Sequence, residues 1–141
     1  MPDFVLDARL QQDCLPITDF PLCRLLMMND ARFPWFLLVP RVPGAHDAID
    51  LDADDYRRLW DESGELSRAM RTAFTPHKLN VAALGNQVAQ LHVHHVARFR
   101  DDAAWPRPIW GEGAPEACDE SLVAHRRGEL LAALPGRLRP H

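Results

Sequence analysis

The sequence predicts an α+β fold, an antiparallel sheet with helices laid on it, and three observations predict it. Leu22 to Met28 and Trp35 to Val39 are short apolar runs separated by the largely polar Asn29-Asp30-Ala31-Arg32, the pattern of two strands joined as a hairpin. From Tyr56 to Phe74 apolar residues recur mostly at three- or four-residue steps, the period of one long amphipathic helix. Around His92, His94 and His95 the neighbours Val81 to Leu84, Val96, Ala97 and Phe99 are apolar, which suits a strand better than a helix.

Each element follows from its own residues. Asp3 to Asp13, with Phe4, Val5, Leu6 and Leu10, fits a short helix or an irregular lead-in. Pro16 stops it, and Asp19 with Pro21 marks a turn. Pro40, Pro43 and Gly44 break the chain after the hairpin. Asp52 or Asp54 caps the long helix. Its inward stripe is Tyr56, Leu59, Trp60, Ser63, Leu66, Met70 and Phe74, and Arg57, Arg58, Glu62 and Arg68 are its solvated charges. Thr75-Pro76 ends it, and Lys78 to Leu84 is a third strand. Gly85-Asn86-Gln87 then turns into the histidine strand, with glycine permitting close approach of the backbone to a ligand. Trp105 to Gly111 is a proline-bearing loop. One of its tryptophans fills the core and the other, Trp110, meets a ligand, since Gly111 leaves it room. Asp119 caps a C-terminal helix that runs to Leu134 and stops at Pro135-Gly136.

At 141 residues the chain reads as a single domain, 1–141, large enough to bury a core. Hydrophobic residues are 47% and charged residues 26%, the mixture of a soluble globular protein. The net charge of -4, with no basic tract, disfavours a nucleic acid polymer, whose binding rests on phosphate neutralisation. No apolar run approaches a membrane span, and Met1-Pro2-Asp3 lacks the regions of a signal peptide. The cysteines are three, Cys14, Cys23 and Cys118, without a Cys-x-x-Cys pair. Reduced thiols and a cytoplasmic home are expected.

In the strand Gln90-Leu91-His92-Val93-His94-His95-Val96-Ala97-Arg98 side chains alternate between two faces. Gln90, His92 and His94 share one face, and Leu91, Val93 and His95 the other. His92 and His94 lie about 6.6 Å apart at the backbone, so both imidazoles can touch one phosphate-sized group. Imidazole is also a common metal ligand. Zinc usually takes three protein ligands, however, and His95 points away from the other two. No His-Glu-x-x-His helix is present.

These pieces, in this order, resemble the histidine-triad (HIT) superfamily of nucleotide hydrolases and transferases. Its signature, His-x-His-x-His followed by two apolar residues and often Pro-Arg, is matched by Gln90 to Arg98. The stretch from Asn29 through Pro34 to Val39-Pro40-Arg41 and the helix after Asp52 match as well, so residues 20 to 100 are covered. The departures are Gln90 for the first triad histidine, His95 for an apolar residue and Ala97 for proline. The loop before the triad is short, and Arg41 lacks a following histidine.

The resemblance implies an α+β fold with about five antiparallel strands, one long helix and a C-terminal helix, and a homodimer whose sheets join. It implies attack by His92 on the α-phosphorus of a nucleotide derivative, a dinucleoside polyphosphate or a nucleoside phosphoramidate, through a nucleotidyl-histidine. Neutral imidazole can do this without a strong base, since its ordinary pKa is about 6.5. His94 hydrogen-bonds the phosphate oxygens or the leaving group. The Gln90 backbone carbonyl can hold the His92 ring whatever the side chain. Asn86 and Gln87 fall where the family places donors to phosphate, Asn29 or Asp30 where it holds a ribose hydroxyl, and Trp110 offers a stacking surface. No cofactor is required, and any Mg2+ arrives on the substrate phosphates. The competing class is a non-catalytic nucleotide-binding protein that kept the pocket. A third reading is a metal-binding module using His92, His94 and His95.

Overall fold

The structure, a computed structural model, describes residues 3–140. Strands β1 (Cys14–Asp19), β2 (Cys23–Met28), β3 (Trp35–Pro40), β4 (Lys78–Ala82) and β5 (Val93–Arg98) form one sheet in the order β1-β2-β3-β5-β4. Every neighbouring pair is antiparallel. The helices are α1 (Ala8–Asp13), α2 (Ala53–Phe74) and α3 (Glu120–Ala133). The expected α+β architecture and the β2–β3 hairpin are both present.

Strand β1 is a correction, because Pro16 and Asp19 read as a stop and a turn. Pro16 lies within β1 at the edge of the sheet, and the register slips between Pro16 and Thr18. An edge strand tolerates a missing N–H, and a bulge absorbs the misfit. The histidine strand is the second correction, since β5 starts at Val93 and not at Gln90. Residues 83–92 form a loop longer than the short turn expected. The Leu91 N–H donates to Ala45 O at 2.9 Å, across to the segment after β3, so the strand ladder cannot begin there.

The sheet separates two cores. On one face Leu25, Met27, Phe36, Leu38, Val93 and Ala97 pack with Leu59, Leu66 and Met70 of α2, Leu130 of α3 and Leu134 just after it. On the other, Leu26, Leu37, Val39 and Val96 pack under Leu10 of α1 and Ala104 and Ile109 of the tryptophan loop. Asp52 is the N-cap of α2, its carboxylate accepting from Asp55 N–H. The buried stripe of α2 is Leu59, Glu62, Ser63, Leu66, Ala69 and Met70. Tyr56 and Trp60, expected inside, are exposed and pack edge-on against each other at 6.2 Å. The stripe is narrower than the apolar spacing suggested, and its wet edge carries the aromatic pair.

Glu62, expected among the solvated charges, is buried. Its carboxylate accepts from Leu22 N–H at 2.9 Å and Cys23 N–H at 2.8 Å, which ties α2 to the start of β2. His95 is also buried, on the helix-facing side as expected. Its Nδ1–H donates to Val93 O at 3.1 Å, and Nε2 accepts from the Ser63 hydroxyl at 2.7 Å. Both nitrogens are satisfied in the neutral ring, and burial pushes its pKa down to about 4.

Two outcomes follow from these buried polar groups. Glu62→Ala strands two backbone N–H groups in the interior and should cost about 3 kcal/mol, read as a lower denaturant midpoint at unchanged m-value; a midpoint like that of the wild type would show that water replaces the carboxylate. His95 has a folded pKa below its unfolded value of 6.5. Its contribution is therefore complete above that value and is lost as pH falls toward about 4. The loss from this group is roughly 2 kcal/mol at about pH 5. Melting curves across this range should be less steep in pH for His95→Gln than for the wild type; equal slopes would remove His95 as the source.

Candidate active site

A cavity of about 740 Å³ opens on the face of the sheet away from α2 and α3, within the size range of small-molecule sites. Its walls come from α1, the β2–β3 turn, residues 84–88, the start of β5 and residues 109–113. Asn29, Asp30, Asn86, Gln87, His92, His94 and Trp110 all line it. The residues singled out in the sequence thus meet at one place, except Gln90.

Gln90 is a correction: strand alternation put its side chain on the face of His92 and His94, as a substrate-binding residue, and it does not line the cavity. Its Oε1 accepts from Asp7 N–H at 2.8 Å and its Nε2 donates to Val5 O at 2.9 Å. A side-chain amide carries a donor and an acceptor side by side. It therefore pairs with the chain before α1 as a neighbouring peptide would. Helix α1 follows at once, and Arg9, Leu10, Gln12 and Asp13 wall the cavity. This role crosses more than eighty residues of sequence, and no local pattern signals it.

The Gln90 carbonyl does hold the ring of His92. It accepts from His92 Nδ1–H at 2.6 Å, so the lone pair of the neutral ring is on Nε2. His94 stands beside it, ring centroids 4.9 Å apart and nearly perpendicular. Trp35, a strand residue that sequence reading gave no site role, donates Nε1–H to His94 Nδ1 at 3.0 Å. Pairing of β3 with β5 sets this contact: Trp35 lies opposite Val96 and Leu37 opposite His94, all on one face. Burial, then His92 and His95, push the His94 pKa down to about 3. The ring is a neutral hydrogen-bonding group at ordinary pH.

The turn beyond β2 is held from a distance. Asn29 Oδ1 accepts from Cys118 N–H at 2.8 Å. The carboxylate of Asp30, 1% exposed, is gripped by Arg32 at 2.9 Å. Arg126 of α3, also buried, donates to the carbonyls of Asp30, Ala31 and Phe33 at 3.0, 2.7 and 3.0 Å. Neither Arg126 nor Arg32 was legible as part of the site, because each acts through backbone oxygens or a neighbour. Trp110 lies 5.4 Å from His94 in an edge-on arrangement. Trp105 turns elsewhere and packs on His77 and Arg98. Asn86 and Gln87 are exposed on the rim. Among the described residues no cluster of three or more His, Cys, Asp or Glu side chains is arranged to hold a metal ion. His95 points into the opposite core, against the reading that joined it to His92 and His94.

No helix among the described residues is long and apolar enough to cross a membrane. Solved structures with the same fold include a histidine triad protein of Bradyrhizobium japonicum, 45% identical, with a TM-score of 0.93 over 95% of this chain and 100% of that one. A histidine triad protein of Marinobacter aquaeolei is 41% identical, with a TM-score of 0.91 over 94% and 97% of the two chains. One from Sinorhizobium meliloti is 37% identical, also with a TM-score of 0.91, over 93% and 97%. No curated protein matches the sequence. The family model described as HIT domain matches residues 9–101, a span that holds His92, His94, Trp35 and most of the cavity wall, and the chain belongs to that family.

Proposed function

We propose that this protein hydrolyses or transfers at the α-phosphate of a nucleotide derivative, a dinucleoside polyphosphate or a nucleoside phosphoramidate, through a nucleotidyl-His92 intermediate. The observation that carries this reading is the 2.6 Å hydrogen bond from His92 Nδ1–H to the Gln90 carbonyl. It leaves the Nε2 lone pair as the reactive electron pair in a cavity of nucleotide size. Attack by Nε2 forms the N–P bond and breaks the bond from phosphorus to the leaving oxygen or nitrogen, which departs with the bonding pair. The ring becomes cationic, and the Gln90 carbonyl facing Nδ1–H stabilises that charge. Nε2–H of His94 hydrogen-bonds the phosphoryl oxygen or the leaving atom. Water, or another acceptor, then attacks phosphorus and frees His92 with the nucleoside monophosphate.

The other roles follow from placement. With Asn29 Oδ1 taken by Cys118 N–H, its amide N–H2 serves a ribose hydroxyl better than Asp30, whose carboxylate is held by Arg32. Asn86 and Gln87 supply rim donors to phosphate, and Trp110 a surface for the base. Any Mg2+ rides on the substrate phosphates. A cytoplasmic homodimer is the expected state. The outer edge of β4, with Val81 exposed on it and Leu84 exposed just beyond its end, offers a strand to a second copy.

His92→Ala should abolish turnover of adenosine 5′-phosphoromorpholidate while melting at nearly the wild-type temperature. Intact mass of the wild type caught during turnover should show an added adenylyl group, absent in the variant, and EDTA should not inactivate directly. A folded His92→Ala protein with full activity would falsify the assignment of the nucleophile. Binding without turnover or adduct in the wild type would mark a non-catalytic nucleotide-binding protein.

Gln90→His should change turnover by about tenfold or less, equivalent to roughly 1.4 kcal/mol in the barrier, because the backbone carbonyl stays in place. It should alter preference among the morpholidate, diadenosine triphosphate and diadenosine tetraphosphate more strongly, since the α1 wall loses its amide clamp. A wild type inert on all three and revived by this substitution would overturn the reading.

A further inference from the structure

We infer that Trp35 is a positioning residue for the reaction: its indole N–H fixes the tautomer of His94, so that His94 presents Nε2–H, and only Nε2–H, to the reacting group. The inference rests on the proposed pairing of His92 and His94, and goes beyond it by naming what sets the proton on His94.

An indole nitrogen is a donor only. At 3.0 Å it must meet a lone pair on His94 Nδ1, so the single proton of the neutral imidazole resides on Nε2. Protonating Nδ1 would set one N–H against another. The surroundings act the same way. His94 is 6% exposed and lies between Trp35, at 5.7 Å between ring centroids, and Trp110, at 5.4 Å. His92 is adjacent, and His95 lies behind it on the same strand. The charged groups around the cavity are largely paired: Arg9 with Asp13 on α1 and Asp30 with Arg32 on the β2–β3 turn. On the tryptophan-loop side, Glu112 is bound by Arg107. No unpaired carboxylate among these groups is drawn up to stabilise an imidazolium.

The two indoles beside His94 differ in one respect. Trp110 Nε1 is buried without a hydrogen-bond partner among the described residues. It therefore desolvates the imidazole without selecting a tautomer, whereas Trp35 does both. The two triad histidines are thus locked as opposite tautomers. His92, with Nδ1–H on the Gln90 carbonyl, carries the lone pair at Nε2, and His94, with Nδ1 on the Trp35 N–H, carries the proton there. One is the electron-pair donor and the other the hydrogen-bond donor, each set by the hydrogen bond at its own Nδ1.

Long-range 1H–15N correlation spectra of labelled protein test this without substrate. In the wild type His94 should show an unprotonated Nδ1 and a protonated Nε2 throughout about pH 5 to 8. Trp35→Phe should show mixed tautomers and a His94 that titrates at higher pH than in the wild type, while Trp110→Phe should keep the wild-type tautomer. On the morpholidate, Trp35→Phe should lower kcat about tenfold with KM within about twofold, because the donor acts where charge develops in the transition state. Should Trp35→Phe unfold, benzothienylalanine at position 35, a ring of nearly the same shape with sulfur for N–H, replaces it in the same measurements. A protonated Nδ1 in the wild type, an unchanged tautomer without the indole N–H, or a loss confined to KM would overturn the inference. Since the spectra need no turnover, an inactive wild type with the stated tautomers would sink the proposed reaction and leave the Trp35 lock standing.

Discussion

Strand β5 alternates between two unlike surroundings, and its antiparallel pairing with β3 pins the register of that alternation. Val93, His95 and Ala97 enter the helix-covered core, while His94 and Val96 face the second core and the cavity. A slip of one residue would exchange the two sets, burying His94 under α2 and sending His95 to the ligand. The pairs Trp35 with Val96 and Leu37 with His94 fix the frame. The indole of Trp35 reaches His94 only in that register. The placement of His94 is therefore a property of strand pairing, while His92, in the loop just before β5, has its ring held by the Gln90 carbonyl.

The segments around that strand are irregular, and charged or amide side chains hold them in place. Arg98, 1% exposed, pairs with Asp102 at 2.7 Å and donates to Arg107 O at 2.8 Å, which ties the tryptophan loop to the end of β5. Asp102 in turn accepts from the N–H groups of Phe99, Ala104 and Trp105. Arg126 does for the β2–β3 turn what Asp102 does for that loop. A buried loop leaves backbone groups that water cannot reach, and each must find a partner. Burying these charges is costly unless every pole is matched, and here the matches are the Arg98–Asp102 pair itself and backbone groups of the segments around the cavity.

Gln90 shows how a residue change at a catalytic motif can be absorbed by the backbone. The group that His92 needs at position 90 is a carbonyl oxygen, which every residue supplies. The side chain is free for another task and clips residues 5–7 beside the cavity. A neutral amide suits this because it donates and accepts without titrating. A histidine there could donate to one of the two partners at most while its other nitrogen accepted, over a different span.

The sequence by itself determined the fold class, the β2–β3 hairpin, the long helix capped at Asp52 and the two histidines that share the cavity face. Each of these is written in local periodicity or in residues a few positions apart, where backbone geometry alone sets which side chains meet. It also determined that His95 turns inward, since a period of two leaves no other choice. Tertiary structure decided the rest. Pro16 could be part of a strand only because β1 is an edge, and Glu62 became a buried anchor only because Leu22 and Cys23, at the entry to β2, present two N–H groups to α2. Gln90, Trp35 and Arg126 act on partners 85, 59 and up to 96 residues away. Hydrogen bonds select by distance and direction in space, and chain separation places no mark on the residues that will make them.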